Sequence, residues 1–204
     1  MARTSTAKDR LLDAALDLIW TSSYGTVGVD DICARADVRK GSFYHYFASK
    51  AELVAAAYEA FWQKTQPDYD RAFSVQNPPL QRIEDWCQMV VNGQKALHAK
   101  YGHVCGCPFS NLGSEMSTCE EKIRTKAEQM MERTLRYFES AIGDAIRAGQ
   151  LPLQDSREAA EGVYSCALGV LLRAKIKNDP QLLDHLADQI LRQLGTPTPE
   201  AFAI

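Results

Sequence analysis

The sequence lacks any apolar run long enough to cross a membrane. Its 204 residues hold no stretch near the roughly 20 consecutive apolar residues that a membrane-spanning helix needs. The N-terminal segment is polar and has no apolar signal core, so we do not expect export. These two absences predict a cytoplasmic protein with no membrane partner.

The sequence also lacks a large excess of positive or negative charge, and it lacks the common enzyme motifs. The formal net charge is −3, so DNA binding would need a local basic patch rather than a global basic field. Glycine-rich phosphate loops and metalloprotease helix motifs are absent, as is the apolar–polar alternation typical of β-strands. The six cysteines lack C-x-x-C redox spacing, and in a cytosolic chain they indicate free thiols, redox sensors or metal ligands rather than a disulfide framework.

Helical periodicity is what the sequence has in abundance, and it predicts an all-α fold. Ser49 is a predicted N-cap with Glu52 as its capping-box partner, and Pro67 and Pro78–Pro79 are expected to interrupt the chain. The arrangement predicts a three-helix helix-turn-helix domain at 1–47 and a larger helical domain for effector binding and dimerisation at 48–204. The predicted helices cover about 6–20, 29–36, 40–46, 80–101, 119–148, 158–177 and 180–194, with others starting after Ser49 and at Pro108.

Residues 29–47 have the pattern of a helix-turn-helix. A first helix braces a second across a tight turn at Asp37–Val38, and Tyr46 and Phe47 are expected in the core. Lysine, arginine, serine and tyrosine suit phosphate oxygens, histidine also suits a base edge, and Gly41 allows close backbone approach. The predicted DNA contacts are Arg39, Lys40, Gly41, Ser42, Tyr44, His45 and, at the next helix N-terminus, Lys50.

The run Val29–Lys50, which reads VDDICARADVRKGSFYHYFASK, closely resembles the N-terminal signature of the TetR family of repressors. The preceding segment Arg10–Ala15 is similar to the first helix of that family. The resemblance implies a repressor of transcription without enzymatic activity or cofactor, which binds a palindromic double-stranded operator as a homodimer. The sequence departs from the family at Asp37, where glycine is usual in the turn, and at Val27–Gly28, where a hydroxyl pair is usual.

The segment His103–Phe109 carries the most unusual chemistry and has three interpretations. Cys107 precedes Pro108 at a predicted helix N-terminus, which lowers a thiol pKa, so it suits an electrophile or oxidant sensor with Cys105 or Cys119 as partner. His103 and these three cysteines also suit a soft metal such as zinc or copper(I), although the spacing is not that of a zinc knuckle. The third interpretation is a loop of small side chains packed between helices.

A family resemblance bears on the sensor interpretation. The stretch that follows the break, GCPFSNLGSE from Gly106, is similar to a branch of TetR regulators that includes an electrophile-responsive repressor of N-ethylmaleimide-reductase operons. That likeness implies a sensing cysteine near Cys107. Two alternatives stay open. One is a thiol-dependent redox enzyme that uses Cys105 and Cys107, and the other is a helical adaptor that binds only protein.

The larger domain should hold an unidentified small-molecule effector and the dimer interface. The last two helices carry apolar residues such as Tyr164, Val170, Leu171 and Ile190, which we expect to pair with a second copy. Aromatic and methionine side chains with a few polar groups are typical of a ligand pocket, although the same stripe also suits an ordinary core. The candidate pocket residues are Trp86, Met89, Phe109, Met130, Tyr137 and Phe138.

Overall fold

The structure, a computed structural model, describes residues 6–196. Within that range it contains α-helices joined by turns and short 3₁₀ helices, with no strand, as predicted. The α-helices are α1 (Ala7–Thr21), α2 (Val29–Ala36), α3 (Lys40–Tyr46), α4 (Lys50–Ala72), α5 (Pro79–Tyr101), α6 (Pro108–Met116), α7 (Glu121–Arg147), α8 (Ser156–Lys177) and α9 (Leu186–Gln193). No helix in this range combines the length and apolarity that crossing a bilayer requires.

Two predicted helix boundaries are wrong. Pro67 lies inside α4 and does not interrupt it, because burial of residues on both sides, such as Trp62 and Phe73, outweighs the one backbone hydrogen bond that proline cannot make. The predicted helix 180–194 is split into a 3₁₀ helix at Pro180–Leu183 and α9. Asp179 caps the first piece by accepting a hydrogen bond from the Gln181 amide.

The helices form two compact units whose limits differ from the predicted boundary at 47. The first unit comprises residues 6–65 and Pro108–Met131. In it α1, α2 and α3 contact one another around a core that includes Leu11, Ile32, Phe43 and Phe47. Helix α1 begins with a capping box, in which Thr6 and Asp9 each accept a hydrogen bond from the backbone of the other.

The second unit comprises Gln66–Cys107 and residues 132–196. In it α9 contacts both α5 and α8. The guanidinium of Arg82 is 6% exposed and donates to Asp144 Oδ2 at 2.6 Å, as well as to the carbonyls of Asn77 and Val75. This ion pair joins α5 to α7 inside the unit.

Candidate functional site

Helix α3 presents one polar face to solvent and one aromatic face to the core of the first unit. Phe43 and Phe47 are buried, at 0% and 3% exposure, and fix the helix against α1 and α2. Tyr44 is 54% exposed, and a Cβ added at Gly41 would meet nothing within 4 Å. Six of the seven predicted DNA contacts lie together on this exposed surface: Arg39, Lys40, Gly41, Ser42, Tyr44 and His45.

The turn before α3 depends on Asp37, the residue that replaces the usual glycine. Its φ of 51° and ψ of 52° lie in the left-handed region, as the sequence predicts, and aspartate tolerates this region better than most residues do. Arg10 donates from Nε to the Ala36 carbonyl at 2.9 Å and from Nη2 to the Asp37 carbonyl at 3.2 Å. Both contacts hold α2 and the turn against α1.

The start of α2 replaces its missing hydroxyl cap with a carboxylate. Gly28 is the N-cap and has no side chain to accept a hydrogen bond, but its own amide donates to Asp31 Oδ2 at 2.7 Å.

Tyr46 does not lie in the core as predicted, since it is 39% exposed. It follows Tyr44 and His45 on the short helix, and only Phe43 and Phe47 reach the core.

The two predicted lysine contacts are held differently. Lys40 Nζ lies 2.8 Å from Asp30 Oδ1 at the surface, and this hydrogen bond raises the pKa of Lys40. Lys50 Nζ donates to the carbonyls of Tyr24 and Val27, both at 2.8 Å, and lies 3.6 Å from the centroid of the Tyr24 ring. Burial lowers the pKa of Lys50. Its charge is used inside the protein, to hold the segment that leads into α2.

Glu115 of α6 holds the same segment from another side. Its carboxylate accepts from the Tyr24 amide at 3.2 Å and from the Gly25 amide at 3.3 Å. The sequence contains no motif that signals this contact, because Glu115 is about 90 residues away from its partners. Helix α6 is thereby linked to the 3₁₀ helix Tyr24–Thr26, which precedes α2.

The thiols of the predicted sensor segment have unequal exposure. Cys105 is 1% exposed, and burial raises the pKa of its thiol, which opposes a reactive role. Cys107 is half-buried directly before the first residue of α6, as predicted. Cys119 is exposed and belongs to the first unit, whereas Cys105 and Cys107 belong to the second. Among residues 6–196, no group of three or more His, Cys, Asp or Glu side chains is arranged to hold a metal ion.

The predicted pocket residues are divided between the two units. In the second unit, the rings of Trp86 and Phe138 are 4.8 Å apart, and the Tyr137 hydroxyl donates to Asp70. Met89 of the same unit is half-buried. In the first unit Phe109 packs edge-on against Tyr58 at 5.0 Å, and Met130 is buried.

The second unit contains a cluster of polar side chains, buried at Trp86, Thr134 and Tyr164 and half-buried at Tyr69 and Cys107, that sequence-based reasoning missed in part. Thr134 is 1% exposed, and its hydroxyl interacts with those of Tyr69 and Tyr164. Cys107 interacts with Tyr164 as well. Trp86 is 2% exposed, and its indole N–H has no hydrogen-bond partner. We call Tyr69, Trp86, Cys107, Thr134 and Tyr164 the polar cluster. The sequence feature that could have indicated it is Thr134, a polar residue on the buried side of α7.

The expected dimer residues are buried within their own chain. Tyr164, Val170, Leu171 and Ile190 are each at most 6% exposed, because α9 and the 3₁₀ helix Pro180–Leu183 contact α8 within one copy. The prediction that they need a second copy is therefore wrong. Another face of α8 stays open: Leu172 is 52% exposed, Ile176 is 74% exposed, and Gly169 has open space beside it.

Comparison with known proteins finds matches along most of the chain. Residues 11–57 match the family model for bacterial regulatory proteins of the tetR family, and residues 79–190 match that for the C-terminal domain of tetracycline repressor-like proteins. The transcriptional regulator AcuR of Cereibacter sphaeroides is 32% identical over 96% of this chain and 89% of its own length.

Two solved structures share the fold. A TetR regulatory protein from Rhodobacter sphaeroides superposes with a TM-score of 0.82 at 31% identity, covering 93% of this chain and 99% of that one. The reduced form of NemR from Escherichia coli superposes with a TM-score of 0.81 at 23% identity, covering 94% of this chain and 98% of that one.

Proposed function

The chain belongs to the tetR family of bacterial regulatory proteins, which are DNA-binding transcription regulators, and we propose how this member binds and releases its operator. It represses transcription by placing the exposed face of α3 in the major groove of a palindromic site. Arg39, Lys40, Ser42, Tyr44 and His45 make the contacts. The observation that carries this proposal is that α3 exposes a polar face with cations while Phe43 and Phe47 pack into the core on its opposite side.

We leave Lys50 out of the proposed contact set. Its ammonium already has two carbonyl acceptors and an aromatic ring, and moving it to a phosphate would leave those carbonyls without their donor. Lys50 and Glu115 instead fix the segment before α2, so they position the reading helix without touching DNA.

Operator selection from random double-stranded DNA tests the proposal. We expect one palindromic sequence to be enriched, with binding that weakens steeply as salt rises. Arg39→Gln should weaken binding, whereas Arg124→Gln, the same change on an exposed side chain of α7, should not. The proposal fails if no sequence is enriched, or if the two variants behave alike.

The proposed signal is an electrophile or oxidant that acts on Cys107. Its thiol is half-buried at the start of α6 and belongs to the polar cluster, whereas Cys105 is almost fully buried. N-ethylmaleimide should release the parent protein from operator DNA. The Cys107 sulfur adds to one carbon of the maleimide C=C bond, and the thiol proton goes to the other carbon. Cys107→Ser should abolish release, and Cys119→Ser should leave it intact; release from Cys107→Ser would exclude this thiol.

The proposed homodimer uses the open face of α8 together with α9. Leu172 and Ile176 are large apolar side chains that one copy leaves exposed, and Gly169 allows close helix approach. Leu172→Glu should give monomers in analytical ultracentrifugation, and Leu153→Glu, which changes a residue 94% exposed elsewhere, should stay dimeric. A dimeric Leu172→Glu protein would place the interface elsewhere.

The role proposed here is regulatory and not catalytic, with a cytoplasmic location. The relatives named above are regulators, which supports this choice. The buried Cys105, whose thiol pKa is raised by burial, does not suit the alternative of a thiol-dependent redox enzyme that uses Cys105 and Cys107.

A further inference from the structure

The polar cluster contains a hydrogen-bond donor that the described part of the chain leaves unused. The indole of Trp86 is 2% exposed, and although the Tyr69 hydroxyl is close, no acceptor meets the N–H at hydrogen-bond geometry. An indole N–H can only donate, so the missing partner must be an acceptor. A buried donor without a partner destabilises the folded protein, which makes this N–H informative.

The surroundings of this donor are those of a small-molecule site. Thr134 and Tyr164 are interacting hydroxyl groups at 1% and 5% exposure, and their O–H groups can turn toward a ligand. Phe138, which is fully buried, packs against Trp86 at 4.8 Å and against Tyr164 at 6.2 Å. A few convergent polar groups against an aromatic wall are typical of sites for uncharged organic ligands.

The charge of the cluster restricts the ligand further. The side chains that define the polar cluster are all uncharged: an indole, a thiol and the hydroxyl groups of Tyr69, Thr134 and Tyr164. A carboxylate or phosphate buried here would lack a counter-charge, which is costly in an apolar interior. A neutral acceptor oxygen has no such penalty.

The geometry points to a binding site for an uncharged carbonyl compound, a ketone or an aldehyde, within the polar cluster. The carbonyl oxygen accepts from the Trp86 N–H and from one hydroxyl of the Thr134–Tyr164 pair, and the hydrocarbon part packs on Phe138. This inference goes beyond the proposed thiol signal, since it adds an effector class that binds without a covalent bond, and it rests on the proposed function for its regulatory meaning. Binding itself is measurable without DNA.

Paired probes test the inference with the full-length protein. Acetone is compared with acetate, and cyclohexanone with cyclohexanecarboxylate, by saturation-transfer NMR and calorimetry. We expect at least one ketone to bind, with its matched carboxylate at least about tenfold weaker, because the anion loses its hydration without gaining a cation. Equal or tighter carboxylate binding overturns the inference, and so does absence of ketone binding up to the solubility limit, which would mean that only water occupies the cluster.

Substitutions locate the site. Trp86→Phe and Thr134→Val should each weaken ketone binding by about three- to tenfold, the loss of one neutral hydrogen bond. Trp20→Phe makes the same change at a half-buried tryptophan of the first unit and should leave ketone binding unchanged. If Trp86→Phe does not fold, Thr134→Val decides alone, and parental affinity in the folded variant overturns the inference. Measuring operator binding in the absence of ketone separates the two proposals. If the parent protein does not bind any operator, the proposed function is refuted. If it binds an operator but no ketone, only this ligand site is refuted.

Discussion

The two units of this protein use their polar groups in opposite ways. The first unit keeps the cations at the start of α3 at the surface: Lys40 pairs with Asp30 where the two side chains are 53% and 76% exposed. The second unit buries a guanidinium, that of Arg82, and a set of hydroxyl groups around Thr134. Exposed cations stay available to a polyanion, whereas buried polar groups select for small partners that satisfy them. The difference teaches that charge on a surface and polarity in a core serve different kinds of recognition.

The largest expected effect separates the two faces of α3. Phe43→Ala should reduce the free energy of unfolding of the first unit by about 3–5 kcal/mol, because it removes a fully buried ring from the core. The neighbouring change Tyr44→Ala should leave the free energy of unfolding nearly unchanged and weaken operator binding. Urea denaturation and gel-shift titration measure the two effects. A large loss of stability in Tyr44→Ala would mean that this face is structural.

The next effect tests whether buried and exposed ion pairs differ in stability. Asp144→Asn should reduce the free energy of unfolding by about 1–3 kcal/mol, because Arg82 keeps its charge in the core without a carboxylate. Asp30→Asn, the same change at an exposed pair, should cost less, since solvent screens that pair. Urea denaturation of both variants at pH 7 measures this. Equal losses would contradict the contrast between the units.

The pH dependence of that pair gives an independent check. The hydrogen bond from Arg82 holds the pKa of Asp144 below its usual value of 3.8. A carboxyl group with a lowered folded pKa contributes stability that is complete above its unfolded pKa and is lost as the pH falls through the folded value. The difference in unfolding free energy between the parent and Asp144→Asn should therefore shrink below about pH 4. A constant difference down to pH 2 would argue against the pair.

A smaller effect distinguishes cations that contact DNA from those that hold the fold. Arg39→Gln should reduce the slope of log affinity against log salt by about 1, the signature of one lost phosphate contact. Lys50→Gln should lower the melting temperature and leave the salt slope unchanged, because its ammonium serves Tyr24 and Val27. A reduced slope for Lys50→Gln would restore Lys50 to the set of DNA contacts.

The smallest effect sets stability against binding at a single position. Gly41→Ala should stabilise the protein by about 0.5–1 kcal/mol, because glycine loses more conformational freedom on folding than alanine does and nothing lies within 4 Å of the added carbon. It should weaken operator binding, because the methyl group would meet the DNA backbone. Thermal unfolding and gel-shift titration on the same sample measure both. An alanine variant with parental DNA affinity would show that no close backbone approach occurs there.

Local contacts explain why the helix-turn-helix could be predicted in such detail. Its helices at Val29–Ala36 and Lys40–Tyr46 begin and end where their spacing predicts, and the left-handed turn at Asp37 follows from one residue type. Core and surface positions alternate with a helical period over fewer than 20 residues. Tyr46 was misplaced because a short helix end leaves few constraints on which side chains reach the core.

The chain by itself thus determined the helical class, the position of the reading helix and the turn that orients it, because these depend on neighbours along the sequence. Only the tertiary structure decided that Lys50 and Glu115 hold the segment before α2, that Tyr164 is an interior residue, and that Tyr69, Trp86, Cys107 and Thr134 lie together with it. These residues come from widely separated parts of the chain, and periodicity reports which side of a helix is buried without reporting against what.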